Sequence, residues 1–254
     1  MASLNKIVTY CNDLLKVDEI PDYPGALNGL QLRGAGGKVH KIAAAVDATL
    51  PVVEGAVEAG ADLLVVHHGM FWGGAQRIDG AVYARLKAAM DAGLAIYSAH
   101  LPLDVHPEVG NNALLAGECG FKPAMGKPFL PIQGIEVGLL FRAATTRSAL
   151  LKKVQKAVGG PVHACPGGPE KVARVGIVTG GAGGEVAAAA EAGVDTFITG
   201  EGPHWSYTLA EELGVNVFYA GHYATETFGV KALADRLARR FKCEWEFVDH
   251  PTGM

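Results

Sequence analysis

The sequence predicts an α/β protein built from two similar three-layer α/β domains. Three observations lead to this fold class. Apolar segments of strand length alternate with amphipathic segments of helical spacing along most of the chain. Several predicted strands, such as residues 63–66 (L-L-V-V), are continuous apolar runs, which is typical of strands that helices cover on both faces. The same alternation restarts in the second half of the chain, which indicates an internal duplication.

The first half opens with an amphipathic helix. Apolar residues recur at helical spacing from Leu4 to Leu15, and Ser3 is placed to cap the start. The segments D-Y-P-G at 22–25 and N-G at 28–29 then mark an irregular stretch. The elements predicted after it are a strand at 41–47, a helix at 50–59, a strand at 61–67, a helix at 79–92, a strand at 94–100 and a helix near 111–116.

Residues 120–134 separate the two halves, because prolines and a weak periodicity interrupt the pattern there. We therefore predict an N-terminal α/β domain at 1–127 and a C-terminal α/β domain at 128–254. The second half is predicted to contain strands at 135–143, 172–179, 194–199, 215–220 and 243–248, and helices at 146–158, 184–192, 206–213 and 224–241.

Two pairs of matching motifs support the duplication. E-A-G-A-D at 58–62 matches E-A-G-V-D at 191–195, and the same offset of 133 residues relates Trp72 to Trp205. A-H-L-P-L-D at 99–104 matches G-H-Y-A-T-E at 221–226, so that each half contains a histidine followed four residues later by a carboxylate. Chance similarity between short strand endings is the alternative, and we favour a duplicated unit.

The composition excludes several classes of protein. Of the 254 residues, 49% are hydrophobic and 19% are charged, as in a folded globular protein. The net charge is −4 and the 22 Lys and Arg residues are scattered, so we do not expect a nucleic-acid partner. Apolar stretches fall short of the roughly 18 residues that a membrane span needs. The four cysteines lie far apart. We expect a cytoplasmic protein with reduced thiols and no membrane association.

Side chains that bind metals collect where the predicted strands end. This set comprises His67, His68, His100, Asp104, His222 and Glu226. In open α/β sheets, ligands bind outside the carboxyl ends of the strands. Imidazole and carboxylate without thiolate suit divalent Zn, Fe, Mn, Co or Ni. A single histidine at a strand end is more often a hydrogen-bonded core residue, so the metal hypothesis depends on the whole set.

The spacing of these residues leaves two arrangements open. Adjacent residues of a strand face opposite ways, so His67 and His68 either share a site where the chain bends at Gly69 or bind two different ions. His222 and Glu226 are four residues apart and share one face of a helix that begins near residue 221. Two metals about 3.5–4 Å apart activate water and stabilise an oxyanion. The second arrangement therefore predicts a dinuclear centre.

The motifs resemble, in order and over nearly the whole chain, the Nif-three-like family of dinuclear metal-centre proteins, whose members are often catalogued as GTP cyclohydrolase I type 2 homologues. The matching segments are N-G-L-Q at 28–31, V-D-A-T at 46–49, H-H-G at 67–69, H-L-P-L-D at 100–104, G-N-N at 110–112, T-G-E at 199–201 and G-H-Y-A-T-E at 221–226. The resemblance implies two similar α/β domains with a two-metal site in the cleft between them. It also implies a homohexamer, a ring whose sites face an interior cavity.

On the matching positions, the resemblance implies five ligands for two divalent metal ions per subunit: His67, His68, Asp104, His222 and Glu226. His100 and Glu201 would lie beside the metals, as catalytic residues that transfer protons or as groups that orient the ligands. Longer members of the family insert a small domain between the halves. Residues 120–134 are too few to contain one, so this chain is expected to be the compact form.

The leading hypothesis is a metal-dependent hydrolase of a small cyclic amide or nucleotide, in which Glu201 or His100 moves the proton. The sequence contains no P-loop pattern that would bind the phosphates of GTP. The segment G-G-A-G-G at 180–184 is either the anion-binding start of a helix or a plain loop. The alternative is a non-enzymatic metal-binding ring that acts as a scaffold or regulatory protein. Iron-dependent redox chemistry at the same ligands is a third hypothesis.

Overall fold

The computed structural model describes residues 2–254 and divides the chain into two compact units. The first unit comprises residues up to Leu103 together with Gly229–His250, and the second comprises Asp104–Phe228 together with Pro251–Met254. Both are α/β units, as the sequence predicts.

The first unit is organised around a five-stranded sheet with the order β13-β4-β5-β6-β2. Its strands are β2 (Gly29–Leu32), β4 (Lys41–Asp47), β5 (Leu63–His68), β6 (Ala95–Ser98) and β13 (Glu244–Phe247). Its helices are α1 (Leu4–Leu15), α2 (Leu50–Glu58) and α3 (Gly80–Asp91), and a short ladder joins β1 (Ala2–Ser3) to β3 (Lys38–Val39). Strands β13, β4, β5 and β6 are parallel, and β2 is antiparallel to β6.

The predicted continuous apolar strands are buried on both faces. Residues 63–66 of β5 are all inaccessible to solvent. The alternate residues Leu64 and Val66 belong to a cluster that includes Val52, Val53 and Ala56 of α2. Because successive residues of a strand point to opposite faces, full burial of four in a row requires cover on both sides.

The second unit has a six-stranded sheet with the order β7-β8-β10-β11-β12-β9. Its strands are β7 (Lys127–Ile132), β8 (Ile135–Thr146), β9 (His163–Pro166), β10 (Lys171–Ile177), β11 (Thr196–Thr199) and β12 (Asn216–Tyr219). Its helices are α5 (Asn111–Glu118), α6 (Arg147–Val158), α7 (Val186–Glu191) and α8 (His204–Leu213). The single turn α4 (Leu101–Asp104) and the long helix α9 (His222–Phe241) have residues in both units.

The duplicated pattern consists of three parallel strands joined by helices. In the first unit the order is β4-α2-β5-α3-β6, and in the second it is β10-α7-β11-α8-β12. In each unit the three strands are neighbours in the sheet and run parallel. This common arrangement confirms the predicted fold class of two similar α/β domains.

The division between the units differs from the boundary predicted at residues 127 and 128. The predicted closing strand exists as β13, but it pairs with β4 and so belongs to the first unit. The proline-rich stretch is also not a linker, because Pro128 and Pro131 lie in β7, which pairs antiparallel with β8. β7 is the edge strand of its sheet, where a missing backbone N–H is tolerated.

All four cysteines are free thiols, and Cys11, Cys119 and Cys165 are buried. Within residues 2–254, no helix combines the length and the apolar character that a membrane crossing requires.

Candidate metal centre

Three imidazoles of the first unit converge at the carboxyl ends of its parallel strands. His67 and His68 close β5, and His100 follows β6, so the parallel arrangement places them at one edge of the sheet. One ring nitrogen of each histidine lies within 4.8 Å of those of the other two. The ring centroid of His67 is 4.7 Å from that of His68 and 4.9 Å from that of His100. This spacing suits a shared divalent cation.

Hydrogen bonds fix which nitrogen of each ring can bind a metal. His67 Nδ1 lies 2.9 Å from the carbonyl oxygen of Ala99, which can only accept, so Nδ1 carries the proton and Nε2 the lone pair. His68 Nδ1 is 2.8 Å from Asp47 Oδ1. Metal-ligating histidines commonly donate their other ring N–H to a carbonyl or carboxylate in this way. The first unit therefore presents ring nitrogens that are oriented for metal binding.

His100 is held in the same manner by a buried carboxylate, Asp22, whose side chain is only 6% exposed. Asp22 Oδ1 is 2.8 Å from His100 Nδ1, and Oδ2 accepts from Leu101 N at 2.9 Å and from Asn28 Nδ2 at 2.8 Å. Asn28 Oδ1 in turn accepts from His100 N at 2.7 Å. Burial alone would raise the pKa of Asp22, but the hydrogen bond and charge of His100, together with hydrogen bonds from Asn28 and Tyr23 N, outweigh it and hold that pKa below its ordinary value.

The chain bend after β5 is fixed by Gln31. Its Oε1 accepts from Met70 N at 2.7 Å, and its Nε2 donates to the carbonyls of residues 26 and 27 at 3.0 Å. A Cβ at Gly69 would overlap the Gln31 amide, so a larger residue at that position would displace the amide from its hydrogen bond to Met70 N. The structure has the bend that the sequence allowed at Gly69, and the rings of His67 and His68 lie close together, with their centroids 4.7 Å apart.

Aromatic rings surround these imidazoles. Trp72 meets His100 edge-on with the ring centroids 4.7 Å apart, and its centroid lies 5.5 Å from that of His68. Tyr23 lies 6.0 Å from His100 and 6.3 Å from Trp72. A Cβ at Gly25 would come within 2.9 Å of the Trp72 carbonyl oxygen, so the segment before β2 packs closely on this loop. The aromatic rings lower the local polarity around the histidines, which strengthens electrostatic interactions there.

In the second unit, three loops that follow β10, β11 and β12 are stacked through their backbones. Gly200 N and Glu201 N both donate to the Gly180 carbonyl, at 2.8 and 3.0 Å, and Gly221 N donates to the Gly200 carbonyl at 2.9 Å. A Cβ at Gly200 would lie 2.6 Å from the Gly180 oxygen and 2.7 Å from His222 Cα. The close approach of the three loops therefore requires glycine at residue 200.

His222 and Glu226 meet on the first turn of α9, as their spacing predicts. His222 Nε2 lies 3.2 Å from Glu226 Oε2, and His222 Nδ1 lies 2.9 Å from Glu201 Oε1. Glu226 is only 2% exposed. Burial alone would lower the pKa of His222, but the hydrogen bond and charge of Glu226, together with those of Glu201, raise it to about 9. A divalent cation at Nε2 would take the place of that proton.

Thr225 and Gly180 keep Glu226 in place. Thr225 Oγ1 accepts from Gly180 N at 3.0 Å and donates to the His222 carbonyl at 3.0 Å. Gly180 has a φ of +71°, and a Cβ there would overlap Glu226 Oε1. The motif G-H-Y-A-T-E at 221–226 thus brings together two polar groups that could hold a metal and a hydroxyl that ties the start of α9 to Gly180.

Asp104 is the remaining predicted ligand, and it is not a member of the histidine group. Its Oδ1 accepts from Asn111 Nδ2 at 2.8 Å and from Thr179 Oγ1 at 3.4 Å. Asn112 donates to the Asp104 carbonyl at 3.3 Å and accepts from Thr179 N at 2.8 Å. The G-N-N motif at 110–112 therefore positions the Asp104 carboxylate beside the residue that precedes Gly180.

Sequence reasoning did not identify the carboxylates that orient the histidines. Asp47 ends β4 within the V-D-A-T motif, and its position at a strand end was a usable signal. Asp22 lies 78 residues before its partner His100 in an irregular segment, and its sequence context gave no signal. His163, which the sequence did not distinguish from ordinary surface histidines, lies exposed on β9.

Comparison with known proteins gives one consistent result. The profile of the Duf34/NIF3 family (NGG1p interacting factor 3) matches residues 2–252. A Deinococcus radiodurans protein named GTP cyclohydrolase 1 type 2 homolog is 41% identical, over 98% of this chain and 94% of the relative. A Halobacterium salinarum protein of the same name is also 41% identical, over 99% of each chain. The crystal structure of TTHA1606 from Thermus thermophilus has a TM-score of 0.88 and 37% identity, over 100% of both chains.

Proposed function

Because the chain belongs to the Duf34/NIF3 family, we propose that it is a metal-dependent hydrolase that opens a small cyclic amide or the base of a nucleotide. The observation that carries this proposal is the group of three imidazoles, each with Nδ1 held by an oxygen acceptor. This arrangement is typical of metal ligands and less common among core histidines. The name of the relatives, GTP cyclohydrolase 1 type 2 homolog, agrees with hydrolytic opening of the ring of a nucleotide base.

The proposed ligands for two divalent cations are His67, His68, Asp104, His222 and Glu226. Three imidazole nitrogens and two carboxylates suit Zn, Fe, Mn, Co or Ni. Bound together, two such cations lower the pKa of water and stabilise negative charge on an oxygen. The structure supports the choice of ligands through the orientation of His67 and His68 and through the burial of Glu226 beside His222.

In the proposed reaction, water adds to the carbonyl carbon of the cyclic amide and the C–N bond breaks. The water loses one proton and the departing nitrogen gains one, so a single group can carry the proton between them. Glu201 suits this role because it is 39% exposed and its carboxylate also holds His222. His100 is the second candidate, since Asp22 orients its ring through a contact of 2.8 Å to Nδ1.

Metal content is the first test. We expect protein purified without added metal to contain about two equivalents of transition metal per chain. Inductively coupled plasma mass spectrometry measures this content. We expect His68→Ala and Glu226→Gln each to lose at least one equivalent, because each variant removes one oriented ligand. His40→Ala is the matched control, since His40 is exposed and outside the cluster. Equal metal content in all four proteins would contradict the proposed centre.

Turnover is the second test. The metal-loaded protein is assayed against nucleotides and small cyclic amides, and ring opening is followed by the loss of ultraviolet absorbance. We expect Glu226→Gln to abolish turnover while circular dichroism shows an intact fold. Unchanged activity in this variant would refute the catalytic proposal. An absence of turnover with every compound, combined with reversible metal exchange, would favour the alternative of a metal-binding scaffold.

The resemblance also leads us to propose a homohexameric ring. A hexamer would have six times the chain mass of 26.5 kDa in light scattering. A monomer mass at micromolar concentration would contradict it.

A further inference from the structure

The second unit contains a cavity of about 670 Å³ next to Glu201. The loops after β11 and β12, the start of α8, strand β9 and residues 253–254 line this cavity. Every lining residue belongs to the second unit. Pockets for small organic ligands are typically about 300–1,000 Å³, so this cavity is large enough for a nucleoside.

Aromatic rings form one wall of the cavity. The His163 ring centroid lies 5.5 Å from that of Tyr207 and 6.1 Å from that of Tyr219. The ring planes differ by 35° and 29°, so the three rings are closer to parallel than to edge-on. A wall of this kind offers a π face on which a planar ring can stack.

The polar atoms of this wall have a fixed hydrogen-bond direction. Ser206 Oγ donates to the Pro203 carbonyl at 2.7 Å and lies 2.7 Å from Tyr219 Oη. A serine hydroxyl has one proton, so Tyr219 must donate to Ser206. Burial raises the pKa of Tyr219, so that it stays protonated near neutral pH. Tyr219 Oη therefore offers lone pairs to the cavity.

Glu201 adds a second acceptor at the same cavity. Its Oε1 accepts from His222 Nδ1 at 2.9 Å, and within the described chain Oε2 has no such bond. A carboxylate has room for about four hydrogen bonds, so Glu201 can hold His222 and a ligand together. An anionic group beside it would be repelled, and a wholly apolar ligand would leave the carboxylate desolvated. The cavity thus favours a ligand that is planar and rich in N–H donors.

We propose that this cavity binds the ring of the substrate, a planar heterocycle with two adjacent N–H donors, stacked on His163, Tyr207 and Tyr219 with its N–H groups donating to Glu201. The proposal rests on the proposed function and specifies its substrate class. It places the ring beside the carboxylate that holds His222, so the group proposed to move the proton also recognises the substrate.

Binding of guanosine tests this proposal, because its N1–H and 2-amino group are adjacent donors. Calorimetry is performed on the full chain as purified, with guanosine, 1-methylguanosine and adenosine as probes. We expect guanosine to bind at least about 10-fold more tightly than the other two, since a lost charged hydrogen bond corresponds to roughly that factor. Equal affinity for guanosine and 1-methylguanosine would overturn the donor assignment.

Variants then locate the bound ring. We expect His163→Ala to weaken guanosine binding about 5- to 100-fold, the range found for base stacking on aromatic side chains. Glu201→Gln is expected to weaken guanosine binding about 10-fold or more, because the NH2 group of the new amide can face an N–H donor of guanosine. The control is Tyr83→Ala, which removes an exposed ring from α3 of the first unit and should leave affinity unchanged. Guanosine binding unaffected by His163→Ala would overturn the proposed cavity.

The two proposals fail in different ways. In one outcome, guanosine binds, the variants change its affinity as expected, and no compound is hydrolysed. This outcome would refute the proposed hydrolase activity and leave the cavity proposal intact. Turnover of a cyclic amide that His163→Ala does not change in KM would refute the cavity proposal alone. An absence of guanosine binding in protein with its full metal content would also overturn the cavity proposal.

Discussion

The two units share a strand–helix pattern, but the equivalent loops after β5 and β11 differ in what they surround. After β5, Trp72 packs against His100 and Tyr23, and the loop lines a cavity of only about 130 Å³. After β11, the corresponding Trp205 lies 51% exposed, and the loop lines the cavity of about 670 Å³. The duplicated fold therefore provides one strand-end edge with imidazoles enclosed by aromatic rings and one with room for an organic ligand.

The loops are also held in place by different means. In the first unit, side chains do this, because Asp22, Asn28 and Gln31 bond to the backbone of the loops after β5 and β6. In the second unit, backbone amides of Gly200 and Gly221 bond directly to the carbonyls of the preceding loops. We therefore expect side-chain substitutions to disturb the first unit and glycine substitutions to disturb the second.

Gly180→Ala should have the largest effect. The new Cβ overlaps Glu226 Oε1 at a residue with a φ of +71°. Left-handed strain and overpacking together predict a loss of about 2–5 kcal/mol in the free energy of unfolding. Metal binding should fall with it, because Glu226 must move. Urea denaturation and elemental analysis measure the two effects.

Gly214→Ala is the matched control in the same unit. Gly214 has a φ of +70°, and a Cβ there would meet no atom within 4 Å. This variant should lose only about 1–2 kcal/mol from backbone strain and keep its metal. Similar losses of stability and metal in both variants would show that backbone strain, and not contact with Glu226, causes the effect of Gly180→Ala.

Asp22→Asn is expected to lower the free energy of unfolding by about 2–3 kcal/mol. The substitution replaces a buried carboxylate that accepts hydrogen bonds by an amide. The NH2 group of that amide would face other donors, such as Leu101 N and Asn28 Nδ2. The folded-state pKa of Asp22 is lowered from 3.8, so its contribution is complete above that value and is lost as the pH falls through the lower folded pKa. The difference between wild type and variant should therefore narrow only below about pH 4. Chemical denaturation from pH 3 to pH 7 measures it, and a pH-independent difference would contradict the charged state of Asp22.

The two equivalent tryptophans should give the smallest effects. Trp72→Ala removes ring contacts with His100 and Tyr23 at a side chain that is 38% exposed, and we expect a loss of about 1–2 kcal/mol. Trp205→Ala removes a more exposed ring and should change stability by less than about 0.5 kcal/mol. Thermal denaturation of both variants measures these changes in stability. Equal losses would mean that the loops after β5 and β11 are packed alike, against the contrast described above.

The sequence predicted most of the fold because the parallel strands are covered on both faces and so stand out as apolar runs. It did not predict β9, whose four residues end in proline at a sheet edge and carry almost no pattern. It also could not predict that β13 pairs with β4, since strand pairing depends on residues about 200 positions apart in the chain.

The same limits apply to the candidate site. The strand ends predicted the convergence of His67, His68 and His100, because parallel strands finish at one edge. The bend at Gly69 was predicted as an option, and its cause, the Gln31 amide, was not visible from local sequence. Asp22 and the ring wall around His163 depend on contacts that are distant in sequence, and composition and spacing alone do not reveal them.

The stacked loops at residues 180, 200 and 221 have a consequence for how this protein can vary. The relative positions of these loops depend on backbone hydrogen bonds and on the absence of side chains at the three glycines. Substitutions at neighbouring residues therefore change the side chains that face a ligand and leave the loop backbones in place. Residue 200 itself admits no such variation. Design efforts that aim at new ligand preferences should therefore leave these three glycines untouched and vary the residues around them.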